Sequence, residues 1–141
     1  MRVNDDHVTV NAAIQTQSGT PSVYHFWQSL LKLRRENVPT FIYGGFELVN
    51  KGHEHVFGYV RTAEDGEKWV TLLNFTGKET EWEVPGELKG GGGIKWVVGN
   101  YCHGTADAVL DGQKGLEVGG DGKDVVKLRP WEGVLGRLVG E

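Results

Sequence analysis

A chain of 141 residues, 38% of them hydrophobic, is long enough for one ordinary domain with a modest core and too short for two. A formal net charge of −4 argues against a nucleic-acid partner, whose footprint would be a basic patch. The single cysteine, Cys102, leaves no intrachain disulfide, no apolar run nears the ~20 residues that span a bilayer, and no signal peptide opens the sequence; the expectation is a soluble, cytoplasmic protein with no membrane partner.

Residues 1–19 show neither helical nor strand periodicity and read as a loop held by something else. Thr20-Pro21 then reads as a helix start, threonine as N-cap and proline in the first helical position. Val23, Phe26, Trp27, Leu30 and Leu31 form an apolar stripe fit to face a core, which puts Ser22, His25, Ser29 and Lys32 on the other side. Lys32, Arg34 and Arg35 form a basic cluster where the helix should end, and there they complement its dipole. Asn37 and Pro39 stop it.

After Pro39 the apolar period drops to two. "TFIYGGFELVN" reads as a strand bent or broken at Gly44-Gly45; "HVFGYVRT" and "KWVTLLNFTG" read as strands joined by a turn around residues 64–69. "ETEWEVP" alternates, with Trp82 and Val84 on one face. "GGGGIKWVVGNYC" becomes an apolar strand from Ile94, and residues 103–122 are rich in glycine and aspartate, with short strand signals at "AVL" and "GLEV". "DVVKLRPWEGVLGRLV" closes the chain as two apolar pieces around Pro130. One helix followed by about eight short strands spells a mainly β fold, an antiparallel β-sandwich preceded by one amphipathic helix. Phe41, Val56, Phe57, Tyr59, Val70, Leu72, Trp96, Val98 and Val126 are the expected core, though alternation forbids all of them from facing inward.

The residues alone show no active site. "GGDGKD" lacks the spacing of a phosphate loop. His53 and His55 bracket Glu54 and could seed a metal site, but no third ligand is indicated and "NKGHEH" is a turn by composition. Cys102 and His103, adjacent on a strand, would point to opposite faces and so are poorly placed as nucleophile and base. Trp69, Trp82, Trp96 and Trp131 could stack on sugar rings, but their apolar neighbours favour a place in the core. Asn74-Phe75-Thr76 matches a glycosylation acceptor by accident. No two carboxylates stand in settings that would separate their pKa values, and no cofactor or metal is expected.

Several short motifs in order carry a resemblance. "MRVNDD...VNAA.Q" with "SVYHFWQSLLKLRRENVPTFIYGGFELV", then "HVFGYVRT", "VTLLNFTG", "VVGNY" and "LRPWEGVL", resemble the C-terminal part of α-glucosidases of the α-amylase superfamily, most like fungal maltases and isomaltases. The resemblance implies that residues 1–19 are a loop remnant of a barrel end, 20–37 the last barrel helix and 40–141 the C-terminal β-sandwich called domain C, with the catalytic (β/α)₈ barrel absent. Met1 falls on the methionine of the family's W-M-x-V-N segment, so the chain resembles a longer enzyme entered at an internal methionine. The family uses an aspartate nucleophile and a glutamate acid at the ends of barrel strands, all upstream of Met1 on this mapping. No catalytic residue is carried over. Arg2 and Asn4 correspond at most to a loop near the barrel mouth, and Asp5, Asp6 and His7 take no catalytic role. The expectation is an α-glucosidase fragment, inactive by itself, whose role is to cap and stabilise a barrel. A stand-alone sugar-binding sandwich and a subunit docking on an intact α-glucosidase are the alternatives, and self-association through Phe26, Trp27, Leu30 and Leu31 is expected.

Overall fold

The computed structural model describes Ala13 and residues 16–17, 22–89, 92–101, 119–120 and 124–139. Arg2, Asn4, Asp5, Asp6, His7, the Thr20-Pro21 helix start, Cys102 and His103, and the "AVL" and "GLEV" segments lie outside the described residues.

Helix α1 runs Val23–Glu36. Its N-cap is Ser22 rather than Thr20: the Ser22 backbone is extended, and its Oγ accepts from the His25 N–H at 3.2 Å. Arg34 and Arg35 occupy the last turn, and Asn37 closes it by donating its Nδ2 to the Leu33 carbonyl at 2.9 Å. The helical path does not give way to a strand at Thr40 as the sequence pattern suggests. Pro39–Tyr43 forms a wide helical turn in which the Thr40 and Phe41 N–H groups both reach the Asn37 carbonyl. Thr40 is fully buried there, and Arg61 donates its Nε to the Thr40 carbonyl. These tertiary bonds override the β propensity of a β-branched and aromatic run. The turn also explains Gly44, where a Cβ would stand 2.4 Å from the Thr40 carbonyl oxygen and 2.7 Å from that of Thr62.

Among the described residues eight antiparallel strands follow: β1 Gly45–Val49, β2 Val56–Thr62, β3 Lys68–Asn74, β4 Thr80–Glu83, β5 Ile94–Gly99, β6 Gly119–Gly120, β7 Val125–Leu128 and β8 Gly133–Leu138. They make a five-stranded sheet in the order β1-β2-β3-β8-β5 and a three-stranded sheet in the order β4-β7-β6. The expected mainly β, antiparallel architecture is what forms, with one α-helix and no barrel among the described residues.

One apolar cluster joins the two sheets. Val49, Val56, Val60, Val70, Leu72 and Val134 come from the large sheet, and Trp82, Val126 and Leu128 from the small one. Gly136 leaves room in it for Trp96, whose ring would stand 2.8 Å from a Cβ at that position. Of the expected core, Val56, Val70, Leu72, Val98 and Val126 are buried. Phe57 is exposed, and Phe41, Tyr59 and Trp96 are half-buried. Strand alternation is the reason on β2: with Val56, Gly58 and Val60 turned inward, Phe57 and Tyr59 must point to the opposite face.

Candidate functional site

That opposite face is unusual for an outer surface. Cross-strand partners put Phe46 with Arg61 on β1 and β2, Tyr59 with Thr71 on β2 and β3, and Thr71 with Leu135 on β3 and β8. The large sheet is therefore apolar on both sides. Such a sheet needs cover on both faces.

Helix α1 supplies part of that cover. Phe26, Leu30, Leu33 and Arg34 look across a cleft of about 710 Å³ at Tyr59, Arg61, Thr71, Leu73 and Leu135. The helix is turned differently from the stripe read in the sequence. Ser29, assigned there to the polar side, is fully buried, and its hydroxyl is satisfied by donating to the His25 carbonyl at 2.8 Å. Val23, Trp27 and Leu31, assigned to the core side, are exposed, Trp27 by 58%. Phe26 and Leu30 are half-buried in the cleft wall. A small serine with an internal partner can be buried, so polarity alone misplaced the face.

The far end of the cleft is held by a dense polar scaffold. Asn74 is buried; its Nδ2 donates to the carbonyls of Lys78 and Arg129 at 2.8 and 2.9 Å, and its Oδ1 accepts from both the N–H and the hydroxyl of Thr76. An amide so fully used is not a glycosylation acceptor. Glu132 is buried too, and its carboxylate accepts from the Arg129 backbone N–H and guanidinium, with Nε at 2.9 Å. Arg129 lies over the Tyr101 ring, 4.2 Å from its centroid, and Tyr101 donates its hydroxyl to the Pro130 carbonyl.

The loop this scaffold holds presents Trp131. Its φ of 56° is left-handed, uncommon for a bulky L-residue. Three hydrogen bonds hold the loop in this shape: the Trp131 N–H donates to the Thr76 carbonyl at 2.9 Å, Asn100 donates its Nδ2 to the Trp131 carbonyl at 2.8 Å, and the nearby Gly133 N–H donates to the Asn100 Oδ1. The indole is 61% exposed at the cleft, beside exposed Phe75. The other tryptophans of the β region divide differently: Trp82 fills the core, Trp69 is buried against the edge of Phe41, and Trp96 is half-buried. Four tryptophan faces open to a sugar are thus not what the fold presents.

The histidine pair has a structural place. His53 and His55 sit in the turn before β2, with ring centroids 6.5 Å apart. The His53 Nδ1 accepts from the Val56 N–H at 3.0 Å, which leaves the proton on Nε2 to donate to the Glu81 carbonyl at 3.1 Å. With both nitrogens so engaged, His53 has none to offer a metal in this arrangement. Among the described residues no group of three or more possible metal ligands occurs. Glu132 is the one carboxylate lining the cleft among the described residues, and it is committed to Arg129. Among the described residues two free carboxylates for glycoside chemistry are not assembled in the cleft.

The described residues thus form two antiparallel sheets around a closed apolar interior, with a second apolar face left partly open beneath α1. No family model matches the chain. It is 36% identical over 85 residues to an α-glucosidase of Schizosaccharomyces pombe, a match that covers 60% of this chain and 14% of the relative. It is 31% identical over 85 residues to an oligo-1,6-glucosidase of Bacillus cereus, and 29% identical over 115 residues to α-glucosidase MAL32 of Saccharomyces cerevisiae, the latter covering 79% of this chain and 16% of the relative. Among solved structures, trehalose-6-phosphate hydrolase of Bacillus licheniformis superposes on 99% of this chain and 22% of its own, with a TM-score of 0.75 at 22% identity. Isomaltulose synthase of Klebsiella superposes with a TM-score of 0.71 at 19% identity. These two likenesses speak to the fold alone. The chain spans 14–16% of the length of these glucosidase relatives. By sequence it is similar to α-glucosidases and oligo-1,6-glucosidases, fungal and bacterial, and the pattern is consistent with a C-terminal fragment of an α-glucosidase.

Proposed function

We propose that this chain acts as the non-catalytic β-sandwich of an α-glucosidase, covering and steadying a catalytic barrel through the outer face of its large sheet. The observation that carries the reading is the contrast between a filled core and an apolar outer face left partly open beneath α1. The relatives' names supply the activity of the whole, hydrolysis of α-linked glucosides, and most of their length lies outside the match. In this reading residues 20–37 are the barrel's last helix and 40–141 its C-terminal domain. A cytoplasmic setting suits a chain with one cysteine.

By itself the chain does not hydrolyse α-glucosides, because a positioned acid and nucleophile supply the rate of such enzymes. Incubation with maltose, isomaltose and a chromogenic α-glucoside checks this; glucose release that survives repurification overturns it. Co-expression with the remaining portion of the Schizosaccharomyces pombe relative tests the covering role. Active, soluble barrel recovered only when this chain is present is the expected result, and equal recovery without it refutes the reading.

Without a barrel, the exposed side of α1 beside the cleft makes the chain self-associate. Trp27 and Leu31 are exposed, while Phe26 and Leu30 stand behind them in the cleft wall. Sedimentation across a concentration series should show mass growing with concentration, and a Trp27→Glu/Leu31→Glu variant should stay monomeric. A wild type that remains monomeric at high concentration removes this element.

A further inference from the structure

The cleft beneath α1 is apolar over most of its wall, yet two of its few polar points are cationic. Arg34 and Arg61 both line it. Arg61 uses its Nε on the Thr40 carbonyl at 3.3 Å, and among the described residues neither guanidinium pairs with a carboxylate. Among the described residues the one acid in the lining, Glu132, is neutralised by Arg129. A hydrophobic wall thus carries two unmatched positive charges in a chain whose net charge is −4. Guanidinium groups at such a place fit a planar, bidentate acceptor, and charge complementarity of this kind selects a partner.

Resting on the covering role, we propose that the cleft receives an apolar α-helix of the covered domain, and that this helix brings a carboxylate side chain to Arg34 and Arg61. A volume of about 710 Å³ also suits a small ligand. The apolar surface, however, continues past the cleft, through exposed Phe75 and Trp131 at its rim and Trp27 and Leu31 along α1. A small amphipathic acid would leave that surface wet, whereas a helix some ~10 Å across, with the domain behind it, covers both. A second copy of this chain, meeting the exposed Trp27 and Leu31 side of α1, would leave the cleft itself unfilled. Its α1 has no acid in the first turn, and its single acid, Glu36, directly follows Arg34 and Arg35, so it offers no apolar face with a carboxylate set clear of cations. Its Glu81 and Glu83 project from β4 on the side away from buried Trp82 and Val84, with no apolar stripe to enter the cleft.

The test uses the full chain and three synthetic amphipathic helical peptides of about 20 residues, long enough to hold a helix. They share a leucine face and differ in one residue at its edge: Glu, Gln or Lys. Fluorescence anisotropy should show the Glu peptide binding roughly tenfold tighter than the Gln peptide, with the Lys peptide weakest. Arg34→Gln, on the exposed end of α1, should remove most of the Glu advantage, read as the ratio of Glu-peptide to Gln-peptide affinity in the same variant. Arg61→Gln should do the same, provided its circular dichroism matches wild type. Equal binding of Glu and Gln peptides, no binding of any peptide, or a Glu advantage that survives both substitutions overturns the proposal. So does sodium decanoate binding in an arginine-dependent way where no peptide binds, which would assign the cleft to a small acid. Co-expression that rescues a barrel while the peptides show no acidic preference sinks this inference and leaves the covering role standing.

Discussion

The two faces of the five-stranded sheet are built from adjacent residues and meet opposite fates. On β3, Val70 and Leu72 point into the sandwich and are fully buried, whereas Thr71 and Leu73 point into the cleft and stay half-buried. On β8, Val134 faces the core and Leu135 the cleft. Both faces are apolar, yet the described residues close only one of them. A sheet buried on one face ordinarily alternates apolar with polar residues. The near-continuous apolar run "WVTLL" is therefore information about what lies on both sides of the sheet.

The largest effect that can break this comparison comes from the neighbours Leu72 and Leu73. Leu72→Ala removes a fully buried side chain from the shared core and should cost about 2–5 kcal/mol. Leu73→Ala lies in the open cleft, and in the isolated chain its cost should stay below about 1.5 kcal/mol, since little of its burial is complete. Urea denaturation of both variants checks the pair. Equal losses would mean that the outer face is closed after all, and no loss at Leu72 would mean that the register is wrong.

Much of this contrast was legible in the sequence, and the reasons differ by element. The strands were readable because β alternation is local: Trp82 and Val84 share a face on inspection, and both are buried. The helix was readable as a helix but not in its orientation, because Ser29 satisfies its hydroxyl within the helix and so does not need water. The turn at Pro39–Tyr43 was hidden, since what holds it is contact with Arg61, 21 residues along the chain from Thr40. The polar scaffold was equally hidden. Asn74 meets Arg129 across 55 residues and Asn100 meets Trp131 across 31, and no local pattern announces such pairs. For the same reason "NFT", whose match to a glycosylation acceptor was set aside as accidental, gave no sign that its asparagine is a buried brace.

A second, smaller effect sharpens the comparison at the rim. Trp131 holds a left-handed backbone at the mouth of the cleft while most of its indole faces solvent. An L-residue in that conformation costs about 1–2 kcal/mol, and glycine avoids the cost. Glycine also loosens the unfolded chain, at about 0.4–1 kcal/mol. Trp131→Gly should therefore leave the isolated chain as stable as wild type or raise it by up to about 1 kcal/mol. Trp131→Ala, which keeps the strained backbone and loses the ring's contacts, should be less stable than the glycine variant. The order of the two denaturation midpoints decides. Alanine above glycine would show that the loop is not strained at this position, and the case for an indole kept for outward contact would fall with it.

The smallest effect belongs to the outer face of the small sheet, the one face that is polar as a solvent surface should be. Glu81 and Lys127 stand opposite each other on β4 and β7, and the ammonium lies 2.8 Å from the carboxylate. The hydrogen bond and the charge of Glu81 raise the Lys127 pKa above its ordinary 10.5. A pKa raised on folding contributes stability that is fully present below the unfolded value and is lost as pH rises through the folded one. The pair is exposed and screened, so its contribution is small. Glu81→Gln should lower the denaturation midpoint slightly at neutral pH, and that difference should shrink in alkaline solution as Lys127 loses its proton above pH 10.5. A difference that grows with pH would put the sign of the linkage the other way and remove the ion pair as its cause. Added salt should shrink the neutral-pH difference as well, because a screened surface pair is all that this face offers, whereas the Leu72 loss on the closed side should be indifferent to both.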